Sequence, residues 1–122
     1  MDNQDGFLCI FGATGDLAAK KIFPALQQWS GEALPMRRIY CLGRRSLDTE
    51  RYLDLIEARG NIRLSESLRR RIAYHRLEFS ETAAYQTLAA RIDEQGFGRD
   101  AQRLFFLAVK PEAFVPITLQ LH

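Results

Sequence analysis

The chain has 122 residues and a mass of 14.0 kDa, enough for one domain and hardly for two. At 47% hydrophobic and 26% charged residues its composition is globular, and no apolar run approaches the ~18 residues a membrane-crossing helix needs. Seventeen basic against fifteen acidic residues leave a net charge of +2, too balanced to point to nucleic acid. The acidic start, residues 1–5, lacks the basic region and apolar stretch of a secretory leader, so none is expected.

The first element is Phe7-Leu8-Cys9-Ile10-Phe11, a continuous apolar run ending at Gly12, which suits a strand buried on both faces. A helix follows over about 16–29, with Leu17, Ile22, Leu26 and Trp29 at helical spacing. Pro24 lies inside it and removes a backbone donor, so a kink is expected there. Ile39-Tyr40-Cys41-Leu42 reads as the second strand. Two helical pieces, about 49–58 and 66–72, follow, with Leu53, Ile56, Leu68 and Ile72 as buried stripes. The third strand is expected over 74–79, with Arg76 and Glu78 alternating with apolar residues. Ser80 is the expected N-cap of the next helix, which carries Tyr85, Leu88, Ala89 and Ile92 on one face and ends at Gly96. Residues 104–109 form a fourth apolar strand, and Pro111 opens a last helix that Pro116 is expected to distort.

Apolar strands alternating with amphipathic helices predict an α/β fold, a doubly wound parallel sheet covered on both faces, with strand order 3-2-1-4. The whole chain, 1–122, then reads as the N-terminal part of a Rossmann-like dinucleotide-binding domain, which normally continues beyond a fourth βα unit. The chain stops in what reads as a helix, so a fragment is expected. Cys9 and Cys41, each inside an apolar run, read as buried thiols on neighbouring strands of a reduced, cytoplasmic protein. No metal-ligand spacing is present.

The turn Gly12-Ala13-Thr14-Gly15-Asp16-Leu17-Ala18 joins a strand to a helix. Glycines there let the backbone turn tightly, and the helix N-terminus beyond offers free N–H groups to a pyrophosphate. The spacing is G-x-x-G-x-x-A, which is also compatible with a purely structural turn; its position favours binding. No Walker pattern follows, which argues against a nucleotide triphosphatase. At the end of the second strand, Leu42-Gly43-Arg44-Arg45-Ser46 has two arginines where an NAD-binding fold has an acid. A guanidinium fork matches phosphate oxygens, so Arg44 and Arg45 predict NADP over NAD; a solvated basic loop is the other reading. Of Lys20 and Lys21, one can face the cleft. Arg69, Arg70 and Arg71 splay around a helix and are read as solvent-facing, not as a nucleic-acid patch. His75 and His122 have no evident partner, and no nucleophile–base pair stands out.

The segment Phe11-Gly12-Ala13-Thr14-Gly15-Asp16-Leu17-Ala18, followed by Lys20-Lys21-Ile22-Phe23-Pro24-Ala25-Leu26, closely resembles the start of the glucose-6-phosphate dehydrogenase family. That family has a G-x-x-G-D-L-A loop, basic residues, and a proline inside the first helix. Cys41-Leu42-Gly43-Arg44, Leu77-Glu78-Phe79, the helix with Tyr85 and Leu88, Arg103-Leu104-Phe105-Phe106-Leu107-Ala108, and Pro111 with Phe114 also fit, in order. The resemblance implies that Gly12, Ala13, Thr14, Gly15, Asp16 and Leu17 cradle the pyrophosphate. It places Arg44, with Arg45 beside it, at the 2′-phosphate. It sets Glu78 and Phe79 near the adenosine half, and Ala108, Lys110 and Pro111 near the nicotinamide end. Lys21 would point toward the sugar phosphate. The implied activity is oxidation of glucose 6-phosphate to 6-phosphogluconolactone in the pentose phosphate pathway, by a homo-oligomer. The family's catalytic histidine, its R-I-D-H-Y-L-G-K-E and E-K-P-F-G segments and its antiparallel substrate and dimer domain do not occur in these residues. No catalytic residue is therefore expected in this chain, and turnover by it alone is not expected. An atypical short-chain-dehydrogenase-like protein shares G-A-T-G and the arginine, but departs at Asp16-Leu17-Ala18. An NADP-sensing module is the non-enzymatic alternative.

Overall fold

The computed structural model describes residues 6–29, 36–97, 101–109 and 111–121. Four parallel strands, β1 (Gly6–Phe11), β2 (Arg38–Gly43), β3 (Ile72–Arg76) and β4 (Gln102–Leu107), form one sheet in the order β3-β2-β1-β4. This is the expected order, and β1 is buried along its whole length because both neighbours and both faces cover it.

Alternation along the strands divides the core. Leu8, Ile10, Ile39, Cys41, Ile72 and Tyr74 face one side, and Phe7, Cys9, Phe11, Tyr40 and Leu42 the other. The first face is covered by α1 (Phe23–Gln28), α2 (Thr49–Gly60) and α3 (Glu66–Arg71), through Phe23, Leu26, Tyr52, Leu53, Ile56 and Leu68. The second is covered by α4 (Thr82–Glu94) and α5 (Phe114–Leu121), through Tyr85, Leu88 and Ile117. Cys9 and Cys41 are therefore free buried thiols on opposite faces, with no route to a disulfide. Burial pushes both up to about 12, so both stay protonated.

Several local expectations are corrected. A π-helical turn, Ala18–Ile22, precedes α1, and Phe23 N–H reaches back to Ala18 O. Pro24 thus falls in the first turn of α1, directly after the π-helical turn and within one helical run from Asp16 to Gln28. Leu17 and Trp29 are not core residues; they are 45% and 48% exposed at the two ends of this segment. Strand β3 begins at Ile72 and ends at Arg76, so Glu78 and Phe79 lie in the turn beyond it. Glu81, not Ser80, is the N-cap of α4, and Ala89 is exposed because the buried stripe is Tyr85 and Leu88.

Of the three arginines, Arg70 is exposed as expected, whereas Arg69 and Arg71 are partly buried. Arg69 bridges to Glu57 at 3.0 Å and to Glu50 at 3.6 Å, and Arg71 donates to Met36 O at 2.6 Å. His75 is partnered as well: its Nδ1 lies 2.8 Å from Arg91 Nη1. Strand β4 is an edge of the sheet, and its side chains are mostly exposed. A 3-10 turn, Pro111–Ala113, precedes α5.

Candidate functional site

The carboxyl ends of all four strands open into one cleft of about 990 Å³. The crossover from β1 to β2 packs on one face of the sheet and that from β3 to β4 on the other. The switch point therefore falls beside β1, where open α/β sheets hold their ligands.

The glycine turn forms the centre of the cleft. Gly12 takes φ +78°, and its N–H and that of Ala13 both donate to Leu42 O at 3.0 Å. A Cβ on Gly12 would lie 2.3 Å from Ala108 O, so only glycine lets the turn pass between β2 and β4. The amides of Gly12 and Ala13 thus serve the fold. The chain becomes helical at Asp16, and first-turn amides have no partner within their own helix. Gly15 is different in kind: a Cβ there would meet only Gly12 O, at 3.6 Å, and its other side is open to the cleft.

The arginine loop is fixed through its carbonyls. Leu77 N–H donates to Gly43 O at 2.7 Å, Arg76 Nε to Arg44 O at 3.1 Å, and the Tyr74 hydroxyl to Arg45 O at 2.7 Å. Both arginine side chains are exposed at the cleft, and Arg44 Nη1 lies 3.8 Å from Glu78 Oε1. Phe79 is set by the Tyr85 hydroxyl, which donates to its carbonyl at 2.8 Å, and by Phe11, edge-on at 6.2 Å. Under the glycine turn, burial drives the Tyr52 hydroxyl well above the ordinary phenol range, so it keeps the proton it donates to Ala13 O at 2.7 Å.

Of the residues singled out in the sequence, the cleft brings together Gly12, Thr14, Gly15, Leu17, Arg44, Arg45, Glu78, Phe79 and Ala108. Ala13 is fully buried beneath the turn. Asp16 turns to Arg59 at 3.4 Å and Lys20 at 3.9 Å. Lys21 is exposed on the π-helical turn, apart from the cleft lining. Lys110 lies outside the described residues, and Pro111 opens the 3-10 turn. Val109, within the stretch 108–111 expected at the nicotinamide end, also lines the cleft; sequence reasoning missed Glu112 and Ala113, and assigned no role to Gly43. A Cβ on Gly43 would lie 2.9 Å from the Tyr74 hydroxyl and 3.2 Å from Thr14 Cγ2, a constraint set by the neighbouring strand and invisible along the chain.

Strand order, glycine turn and cleft together define a Rossmann-like α/β domain. Residues 9–122 match the family described as glucose-6-phosphate dehydrogenase, NAD binding domain, and the chain belongs to that family. A glucose-6-phosphate 1-dehydrogenase of Chlamydia muridarum is 34% identical, over 94% of this chain and 25% of its own length. One from Schizosaccharomyces pombe is 29% identical, over 97% and 26%. A solved glucose-6-phosphate dehydrogenase in complex with its substrate glucose-6-phosphate superposes with a TM-score of 0.82 at 26% identity, over 97% of this chain and 27% of that one. The crystal structure of the Mycobacterium avium enzyme gives 0.79 at 27% identity, over 95% and 26%. The chain thus spans about a quarter of the length of the relatives it matches. Among the described residues no helix is long and apolar enough to cross a membrane.

Proposed function

We propose that the cleft binds NADP and that the protein carrying it oxidises glucose 6-phosphate at C1. The observation that carries this reading is the placement of Arg44 and Arg45 at the tip of β2, in the same cleft as the glycine turn. The residues suit the coenzyme: Gly15 leaves its ligand side open, and two guanidiniums stand at the β2 tip, where a ribose 2′-phosphate falls in this fold. First-turn amides from Asp16 and Leu17, with Thr14 and Gly15 beside them, take the pyrophosphate on the shoulder that Gly12 and Ala13 build. Arg44 takes the 2′-phosphate, with Arg45 as its neighbour. Glu78 and Phe79 flank the adenosine half, and Ala108, Lys110 and Pro111 the nicotinamide end.

When bound, NADP supplies the hydride acceptor. This chain orients it and contributes no general base, so the 122 residues alone do not turn over substrate. Asp16 engages Lys20, and the exposed Lys21 beside it is the cation assigned to the sugar phosphate. The free buried thiols suit a reducing, cytoplasmic compartment. Homo-oligomer formation is carried over from the family.

Calorimetric titration with NADP+ and then NAD+ tests the reading. NADP+ preferred, with the preference lost in Arg44→Ala, supports it; a folded protein that binds neither dinucleotide refutes it.

A further inference from the structure

The cleft lining contains a carboxylate on the same side as the arginines. Glu78 comes from the turn after β3 and Arg44 from the loop after β2, and their charged groups lie 3.8 Å apart. The two segments are tied side by side, by Leu77 N–H on Gly43 O at 2.7 Å and by Arg76 Nε on Arg44 O at 3.1 Å. A group that meets Arg44 where its guanidinium now stands therefore lies within a few ångströms of the Glu78 carboxylate. A ribose 2′-phosphate recruited by Arg44 must draw the guanidinium from Glu78 and settle near a like charge. A ribose 2′-hydroxyl meets the opposite situation, because a carboxylate accepts its proton in a hydrogen bond. In NAD-binding folds that acid stands at the end of the second strand. Here the β2 tip holds arginine, and the acid arrives from the turn that follows the adjacent strand.

We propose that Glu78 reads the ribose 2′ position in opposition to Arg44, accepting the 2′-hydroxyl of NAD and opposing the 2′-phosphate of NADP. The cleft then takes both dinucleotides, with a preference for NADP that Glu78 narrows. The inference rests on the coenzyme reading above. Glu78 is a specificity residue in it, and its partly exposed position leaves the fold little dependent on its charge: its side chain is 35% exposed and Arg44, its ion-pair partner among the described residues, is 68% exposed.

The test is titration of the intact protein and its Glu78→Gln variant with NADP+ and NAD+. Adenosine 2′,5′-bisphosphate and AMP serve as probes confined to the adenosine end. Glu81→Gln is the charge control: it removes the same charge three residues away, at the exposed N-cap of α4 and outside the cleft lining. For an exposed pair, E78Q is expected to tighten NADP+ and the bisphosphate about threefold and to weaken NAD+ and AMP about threefold. The NADP/NAD ratio then widens about tenfold, while E81Q leaves it unchanged. A ratio unmoved by E78Q, or moved equally by E81Q, overturns the inference and leaves the coenzyme reading standing. A folded wild-type protein that binds none of the four ligands overturns the coenzyme reading, and this inference with it.

Discussion

The rings of Tyr52 and Tyr74 stack 4.7 Å apart, and their hydroxyls hold carbonyls from two different walls of the cleft. Tyr52, from α2, donates to Ala13 O at 2.7 Å, and Tyr74, from β3, donates to Arg45 O at 2.7 Å. The glycine turn and the arginine loop are thus pinned to one stacked pair. Tyr52→Phe leaves the Ala13 carbonyl buried without its donor. A destabilisation of about 1–3 kcal/mol is expected in urea unfolding. Tyr74→Phe releases a less buried loop, so it is expected to lower NADP+ affinity more than stability. A Tyr52→Phe protein as stable as wild type would show that the turn holds itself.

The glycines of the cleft separate fold from binding. Gly12→Ala places a methyl 2.3 Å from Ala108 O at a φ of +78°, and a loss of about 3 kcal/mol or more is expected. Gly96→Ala has a similar φ, +71°, with nothing within 4 Å, so only the backbone term of about 1 kcal/mol applies. Gly15→Ala meets only one atom, at 3.6 Å, and projects into the cleft. Its melting temperature is expected to stay near wild type while NADP+ affinity falls at least tenfold. Unchanged affinity in Gly15→Ala would place the pyrophosphate elsewhere.

The features legible in the sequence were local ones. Strands buried on both faces write themselves as apolar runs, so β1 and β2, with crossover handedness, yielded the order of the sheet. The glycine turn and the paired arginines are contiguous in the chain, and each was found at a strand end. Strand β3 starts two residues and ends three residues earlier than the sequence suggests, because α3 runs from Arg71 straight into Ile72 with no linker, so the helical and strand periods abut. Leu17 reads as a core leucine by spacing, yet the first turn of its helix stands beyond the carboxyl end of β1 and puts it in the cleft wall. The Arg44–Glu78 pair and the tyrosine ties stayed hidden because they depend on the register of β2 against β3, Gly43 beside Arg76, which no pattern along one strand encodes.

His75 links stability to pH. Burial, and then the nearby Arg91 guanidinium, lower its pKa from the ordinary 6.5. Arg91 Nη1 donates to its Nδ1 at 2.8 Å, which requires a neutral ring. The unfolded chain takes up the proton first, so this contribution is present above pH 6.5 and is lost as pH falls through the lowered folded value. His75→Asn is expected to flatten the part of the stability profile between pH 6.5 and that lower value. Equal slopes for the two proteins in thermal melts would assign the acid sensitivity to the carboxylates alone.

The β4 edge carries a liability of its own. Leu104, Phe105 and Phe106 are 41%, 44% and 44% exposed on consecutive positions, and hence on both faces of the sheet. An apolar edge strand of this kind offers unpaired backbone groups beside apolar surface, the combination that templates association. The 122-residue polypeptide is therefore expected to self-associate as its concentration rises. A charge is the usual protection for such an edge, and Phe106→Lys introduces one beside Ile10 of β1 without touching the cleft lining. Static light scattering over a wide concentration range decides the matter. Wild type should gain apparent mass with concentration, and the lysine variant should gain much less while keeping the same circular dichroism spectrum. A wild-type polypeptide of constant monomer mass would show that the twist of β4 already keeps its backbone from pairing.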